Sequence, residues 1–245
     1  MKYGEIVELG RHRLMCGDAT KAEDVHALVG GERVNLVLTD PPYGMKCQDK
    51  HGKIGGGNRP ADMGFNKGRK KALKAREYPQ LIGDDNSNTA RLHYPIARAL
   101  CSRLIIWGGQ YFTDFLPVNG GWIVWEKGCE KTDFSACELA WKSFGKRTAF
   151  YRHVWNGVFR QGKIALNLKR RVHPTQKPVE LHAHILEDFS QEGDIILDCF
   201  GGSGTTLIAS EITGRRCLMM EISPDYCDII INRYKSLTEG AINFA

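Results

Sequence analysis

Asp40-Pro41-Pro42-Tyr43 directly follows the apolar run 34–39 (VNLVLT) and is closed by Gly44. That run reads as a short buried strand, so Asp40 sits at its carboxyl end, on the rim where open α/β sheets bind ligands. Pro41 and Pro42 fix φ and remove two N–H donors, which holds the Asp40 carboxylate and the adjacent carbonyl as a rigid pair of acceptors. Such a pair suits an amino group with two hydrogens, and Tyr43 adds a face for stacking. A nucleobase turned out of its duplex, carrying an exocyclic amine, meets all three requirements. The plain alternative is an ordinary proline turn with an exposed aromatic.

A second group lies far along the chain. The apolar run 194–198 (DIILD) leads straight into Cys199-Phe200-Gly201-Gly202-Ser203-Gly204-Thr205-Thr206. Glycines there let the backbone turn tightly against a ligand, and the helix that follows offers free N–H groups to an anion. Glu221, at the end of the next apolar run, lies 19 residues beyond Gly202, the spacing at which a carboxylate reaches ribose hydroxyls. The third glycine of a pyrophosphate cradle is missing, and no lysine follows in the phosphate-loop register. A nucleoside whose anion is a carboxylate, such as S-adenosylmethionine, fits better than NAD. Glycine turns between strand and helix are also common as structure alone.

The elements that must position these groups alternate. Runs 13–16, 34–39, 103–107, 122–125, 138–141, 194–198 and 216–220 read as strands, with helices expected over 22–29, 89–100, 179–189, 205–212 and 224–234. Continuous apolar strands between helices imply a doubly wound, mostly parallel α/β sheet covered on both faces. No linker divides the chain, so one domain over 1–245 is expected. Two stretches break the alternation: 46–77, with six glycines, reads as a long mobile loop insertion, and 145–173 is basic and aromatic.

Composition narrows the classes. The chain has 245 residues, 42% hydrophobic and 25% charged, with a mean hydropathy of −0.34; these values exclude wholesale disorder and collagen-like repeats. No apolar run approaches the roughly 18–20 residues a bilayer crossing needs, and residues 1–10 carry no signal-peptide core, so a soluble, cytoplasmic protein with no membrane partner is expected. The eight cysteines include no CxxC pair, which favours reduced thiols and no metal. Net charge is +6, but its distribution is more telling: residues 46–76 hold ten Lys/Arg against Asp49 and Asp62, and residues 142–177 hold ten with no acid. Two basic blocks on an acidic body point to a polyanion, nucleic acid first.

DPPYG, HPTQKP (173–178) and LDCFGGSGTT (197–206) together resemble the amino-methylating DNA methyltransferases. The motif order, with DPPY ahead of the cofactor turn, is similar to the circularly permuted β group, and the likeness runs from Gly17-Asp18 to about Tyr234. It implies the S-adenosylmethionine-dependent methyltransferase fold, with Asp40, Pro41, Pro42 and Tyr43 as the catalytic set acting on a flipped base. It implies cofactor contacts from Phe200, Gly202, Ser203, Gly204 and Thr205, from Asp198, and from Glu221 to the ribose. Asp18 is expected near the adenine amine, with Thr175, Gln176 and Lys177 along the amino-acid end. Two departures stand out: Cys199 where the family usually has Pro, and Met220 where a small residue usually precedes the ribose acid.

The resemblance also implies double-stranded DNA as partner. Residues 145–173 are the small candidate target-recognition region, with Arg152, Lys169, Arg170 and Arg171 expected in a groove, while Lys46, Lys53, Arg69, Lys70 and Lys71 are expected on phosphates. Adenine-N6 is the leading target. Cytosine-N4 is the runner-up, and a catalytically weak DNA-binding protein on the same fold is the reading from another class. Neither homodimerisation nor a separate restriction nuclease partner is decided by any sequence feature, and a bacterial or phage-encoded enzyme is expected.

Overall fold

The computed structural model describes residues 1–44, 53–54, 76–79, 82–83, 88–118, 121–128, 135–156, 159–160, 162, 172–173 and 175–239. Nine strands form one sheet: β1 (Ile6–Leu9), β2 (His12–Cys16), β3 (Leu36–Thr39), β4 (Leu104–Trp107), β5 (Gly121–Glu126), β6 (Cys137–Lys142), β7 (Ala149–Arg152), β8 (Ile195–Asp198) and β9 (Arg216–Glu221). Among the described residues the five longer helices are α1 (Ala22–Val29), α2 (Asn88–Leu100), α3 (Val179–Phe189), α4 (Thr205–Ile212) and α5 (Pro224–Thr238).

Across the sheet the order is β1-β2-β9-β8-β3-β4-β6-β5-β7. The central strands β2, β9, β8, β3 and β4 run parallel. Alternation along each strand divides the core in two. Leu36, Leu38, Ile196, Cys217 and Met219 pack with α3, α4 and α5, while Val37, Leu197 and Leu218 pack with α1 and α2. Covering both faces explains the continuous apolar strands.

The parallel expectation holds for the centre and needs correction at the edges. β1 pairs antiparallel with β2 through a turn at Gly10, and β6 is antiparallel to both β4 and β5. The connection from β5 to β6 spans only residues 127–136, shorter than the dozen or so residues a crossover between parallel strands needs, so the two neighbouring strands run antiparallel. β7, from the basic and aromatic segment that breaks the alternation, joins the sheet edge parallel to β5. Strand β1 escapes the apolar pattern because Ile6 and Glu8 are exposed there.

Among the described residues no helix is long and apolar enough to cross a membrane. Leu197 is fully buried between its neighbours Val37 and Leu218. Leu197→Ala should therefore lower the unfolding free energy by about 2–5 kcal/mol. Phe150→Ala, 58% exposed on the edge strand, should stay within about 0.5 kcal/mol. Urea titration followed by circular dichroism checks both.

Candidate active site

β3 and β8 are parallel neighbours in register, Val37 opposite Leu197, so the chain leaves both strands on one edge of the sheet. Thr39 Oγ1 donates to Asp198 Oδ1 at 2.8 Å, tying the two strand ends together. One pocket opens there, lined by Asp40, Pro41, Pro42 and Tyr43 from the first strand and by Asp198, Phe200, Gly202 and Ser203 from the second. The two motifs, some 160 residues apart in sequence, thus face the same cavity without either being carried by a long loop.

At the Asp40 end, both carboxylate oxygens already have donors: the Tyr43 hydroxyl on Oδ1 and the Lys177 ammonium on Oδ2. Burial, Asp40 and Glu138 together push the Tyr43 phenol well up, which keeps it a neutral donor. The Tyr43 ring lies directly against Gly108, where an added Cβ would stand 2.1 Å from the ring, and it stacks on Tyr111 at 5.1 Å. Gly108, at φ +70°, is also in the left-handed region. Only glycine serves there on both counts.

At the other end, the turn wraps around Glu221. Its Oε2 accepts from Gly202 N–H at 2.7 Å and its Oε1 from Ser223 N–H at 2.9 Å. Burial nevertheless raises this carboxyl to about 7. Asp198 accepts from Thr39 and from Phe200 N–H at 3.1 Å, and burial raises it to about 6. Trp107 Nε1–H donates to His182 Nε2 at 3.2 Å, so the Nδ1 proton points to Thr206 Oγ1 at 3.1 Å, whose hydroxyl supports Asp198. Burial takes His182 down to about 3, which leaves it neutral. Arg233 NH1 donates to the Ser203 carbonyl at 2.7 Å and holds the turn from behind.

These residues fit a cationic ligand that bears hydroxyls. Asp40, Asp198 and Glu221 line one cavity with Lys177 as the cation at its Asp40 end. Carboxylates crowded in low dielectric favour a positive guest. Glu221 retains lone pairs for a diol beyond its two backbone donors.

Most expected site residues converge here: Thr175, Gln176, Lys177, Asp198, Phe200, Gly202, Ser203, Thr205 and Glu221 all line the pocket. Asp18 and Gly204 do not line it. Asp18 turns its carboxylate onto Thr20, N–H at 2.9 Å and Oγ1 at 2.7 Å, while its neighbours Gly17 and Ala19 face the pocket. Gly204 caps α4 at φ +78° behind the lining. Lys177 lines the pocket with its ammonium on Asp40.

Arg152 is exposed on β7 and pairs with Glu126 at 2.8 Å. Lys46, Arg69, Lys70, Lys71, Lys169, Arg170 and Arg171, with most of 46–77 and with residues 157–158, 161 and 163–171, lie outside the described residues, as does the side chain of Lys53. Sequence reasoning missed Thr39, Gly108, Glu138, His182 and Arg233. A signal existed for Glu138, an acid inside the apolar run 138–141.

Residues 124–232 match the N6/N4 methylase family, described as DNA methylase. Over 231 residues the chain is 25% identical to YubD of Escherichia coli (strain K12), named a methylase, covering 87% of this chain and 86% of YubD. The crystal structure of the M1.HpyAVI–SAM complex superposes with a TM-score of 0.57 at 20% identity, over 90% of this chain and 97% of that one. The cytosine-N4-specific PvuII DNA methyltransferase gives 0.57 at 15%, over 98% and 97%. At these identities the two structures establish a common fold. With the DPPY acid and the glycine turn in one pocket, the chain is similar in fold and in this partial match to the amino-methylating DNA methyltransferases.

Proposed function

We propose that this protein is a DNA amino-methyltransferase, which transfers the methyl group of S-adenosylmethionine to the exocyclic amine of adenine in double-stranded DNA. The observation that carries the reading is the single pocket in which Asp40-Pro41-Pro42-Tyr43 faces the turn around Glu221. Glu221 would hold the ribose hydroxyls, Phe200 and Ser203 the methionine portion, and Thr175 and Gln176 its amino-acid end. When bound, the cofactor supplies an electrophilic methyl on a sulfonium.

The protein's own contribution is positioning and electrostatics. The adenine amine is a weak nucleophile because its lone pair is delocalised into the ring. Asp40 and the Pro41 carbonyl accept its two N–H bonds and favour a pyramidal nitrogen with the lone pair exposed. As the new N–C bond forms and the S–C bond breaks, the nitrogen becomes positive, and Asp40 takes the released proton. Tyr43 offers its face to the flipped base. Adenine is favoured over cytosine because the acid of the motif is Asp, where cytosine enzymes of this group more often carry Ser.

Incubation of unmethylated DNA with methyl-labelled S-adenosylmethionine, digestion to nucleosides and mass spectrometry should place the label on adenine. Asp40→Ala should lower the rate by at least about a hundredfold. Label on cytosine would replace the adenine reading, and no label on either base would sink both.

Charge reversal at Lys70 and Lys71, in the first basic block, should weaken DNA binding and flatten its salt dependence. Fluorescence anisotropy at several salt concentrations reads both, and an unchanged slope would remove these residues from the interface.

Cofactor affinity should depend on pH with a sign set by the raised carboxyls. Glu221, raised to about 7, and Asp198, raised to about 6, each take up a proton as pH falls through those values in the free protein. A cationic ligand loses its counter-charge in that window, so affinity should fall by about tenfold from pH 8 to pH 6. Glu221→Gln should bind more weakly at pH 8 and show little of this dependence. Isothermal titration calorimetry with the cofactor decides, and tighter binding in acid would count against the assignment.

A further inference from the structure

Lys177 is buried, its side chain 4% exposed. Its ammonium donates to Asp40 Oδ2, lies 3.5 Å from the Tyr43 hydroxyl and 3.6 Å from Glu138 Oε2, and sits 5.0 Å over the Trp107 ring. Glu138, on β6, in turn accepts from Lys127 at 2.9 Å through Oε1. Charge therefore alternates along one line: Asp40, Lys177, Glu138, Lys127. A buried ammonium is costly unless it is paired on more than one side, and here a carboxylate flanks it on each.

This line bears on the orientation of Asp40. With Tyr43 on one oxygen and Lys177 on the other, the plane of the carboxylate is fixed. Each oxygen still has a lone pair to offer an amine. Without the ammonium, Asp40 would face Asp198 and Glu221 across one cavity with no cation beside it among the described residues. Without Glu138, the long Lys177 side chain would lose the anchor that holds its tip on Asp40.

We propose that Glu138 and Lys177 are positioning residues for the methyl transfer: Glu138 places the Lys177 ammonium, and that ammonium sets the Asp40 carboxylate against the target amine. The inference rests on the functional reading given above. It competes with the role the sequence suggests for Lys177, a grip on the amino-acid end of the cofactor, and the two predict opposite kinetic patterns.

The test measures kcat, KM for cofactor and DNA, and cofactor Kd by calorimetry, for the wild type, Lys177→Met, Lys177→Arg, Glu138→Gln and the double variant Glu138→Gln/Lys177→Met. Lys177→Met should lower kcat by about a hundredfold, with cofactor Kd within about threefold of wild type. Lys177→Arg should recover about tenfold of that loss, since a cation is restored with altered geometry. Glu138→Gln should lower kcat by about tenfold, and adding it to Lys177→Met should cost little more, because it acts only through the ammonium.

Retained cofactor binding also reports that each variant is folded. A Lys177→Met variant with native melting, much weaker cofactor binding and near-normal kcat at saturation would overturn the inference. So would a double variant whose loss is the product of the two single losses. A wild type that transfers no methyl to DNA would overturn the functional reading and the inference with it, whereas an active wild type beside either adverse pattern overturns the inference alone.

Discussion

Carboxylates that face one another out of water are expensive, and three of them, Asp40, Asp198 and Glu221, line this pocket. The local architecture supplies what each needs to stay there. Asp198 is held by Thr39 from the neighbouring strand and by the backbone of Phe200, Glu221 by the backbone of Gly202 and Ser223, and Asp40 by Tyr43 and Lys177. The backbone donors fall short of full compensation, since Glu221 and Asp198 remain raised to about 7 and 6. That deficit is the pocket's standing attraction for a positive guest. At the other end the Lys177 ammonium offsets Asp40 from within. The cavity is thus divided into an end that seeks a cation and an end whose charges are already matched.

The sheet makes this division possible. Because β3 and β8 are parallel neighbours, their carboxyl ends, and the segments that follow them, emerge side by side. Helices on both faces then fix the depth of each strand: Val37 and Leu197 pack toward α1 and α2, Leu36 and Ile196 toward α3 and α4. A slip of one residue would turn every one of these side chains to the wrong layer. It would also separate Thr39 from Asp198. Packing of the core and placement of the acids are in that sense the same constraint, and the 2.8 Å bond between Thr39 and Asp198 is where they meet.

Much of this was legible in the residues because it depends on period and adjacency. The helices Ala22–Val29, Val179–Phe189 and Thr205–Ile212 have the bounds their apolar spacing suggests, and the strands β3, β4, β8 and β9 lie within a residue or two of the runs that mark them. Backbone-borne parts of the site were equally readable. The glycine turn and the acid after the next strand are local features whose separation is a property of the βαβ unit, and the pocket receives both.

What spacing alone left open depends on where a flexible side chain ends. Lys177 and Gln176 are neighbours in one motif, yet Gln176 turns its amide oxygen to Val172 N–H while Lys177 sends its ammonium to Asp40. Four methylenes carry that charge well clear of its own backbone, so the contact is chosen by distant residues, Asp40 from β3 and Glu138 from β6. Asp18 is the opposite case: its side chain is short enough to hydrogen-bond Thr20 two residues away, which spacing between motifs cannot reveal. Glu138 had a sequence sign, an acid among buried strand residues, but its meaning needed the antiparallel hairpin of β5 and β6. Only with β6 inserted beside β4 does the Glu138 carboxylate come within 3.6 Å of the Lys177 ammonium. Local pattern specifies the scaffold and its acids, and tertiary packing decides which cation each acid keeps.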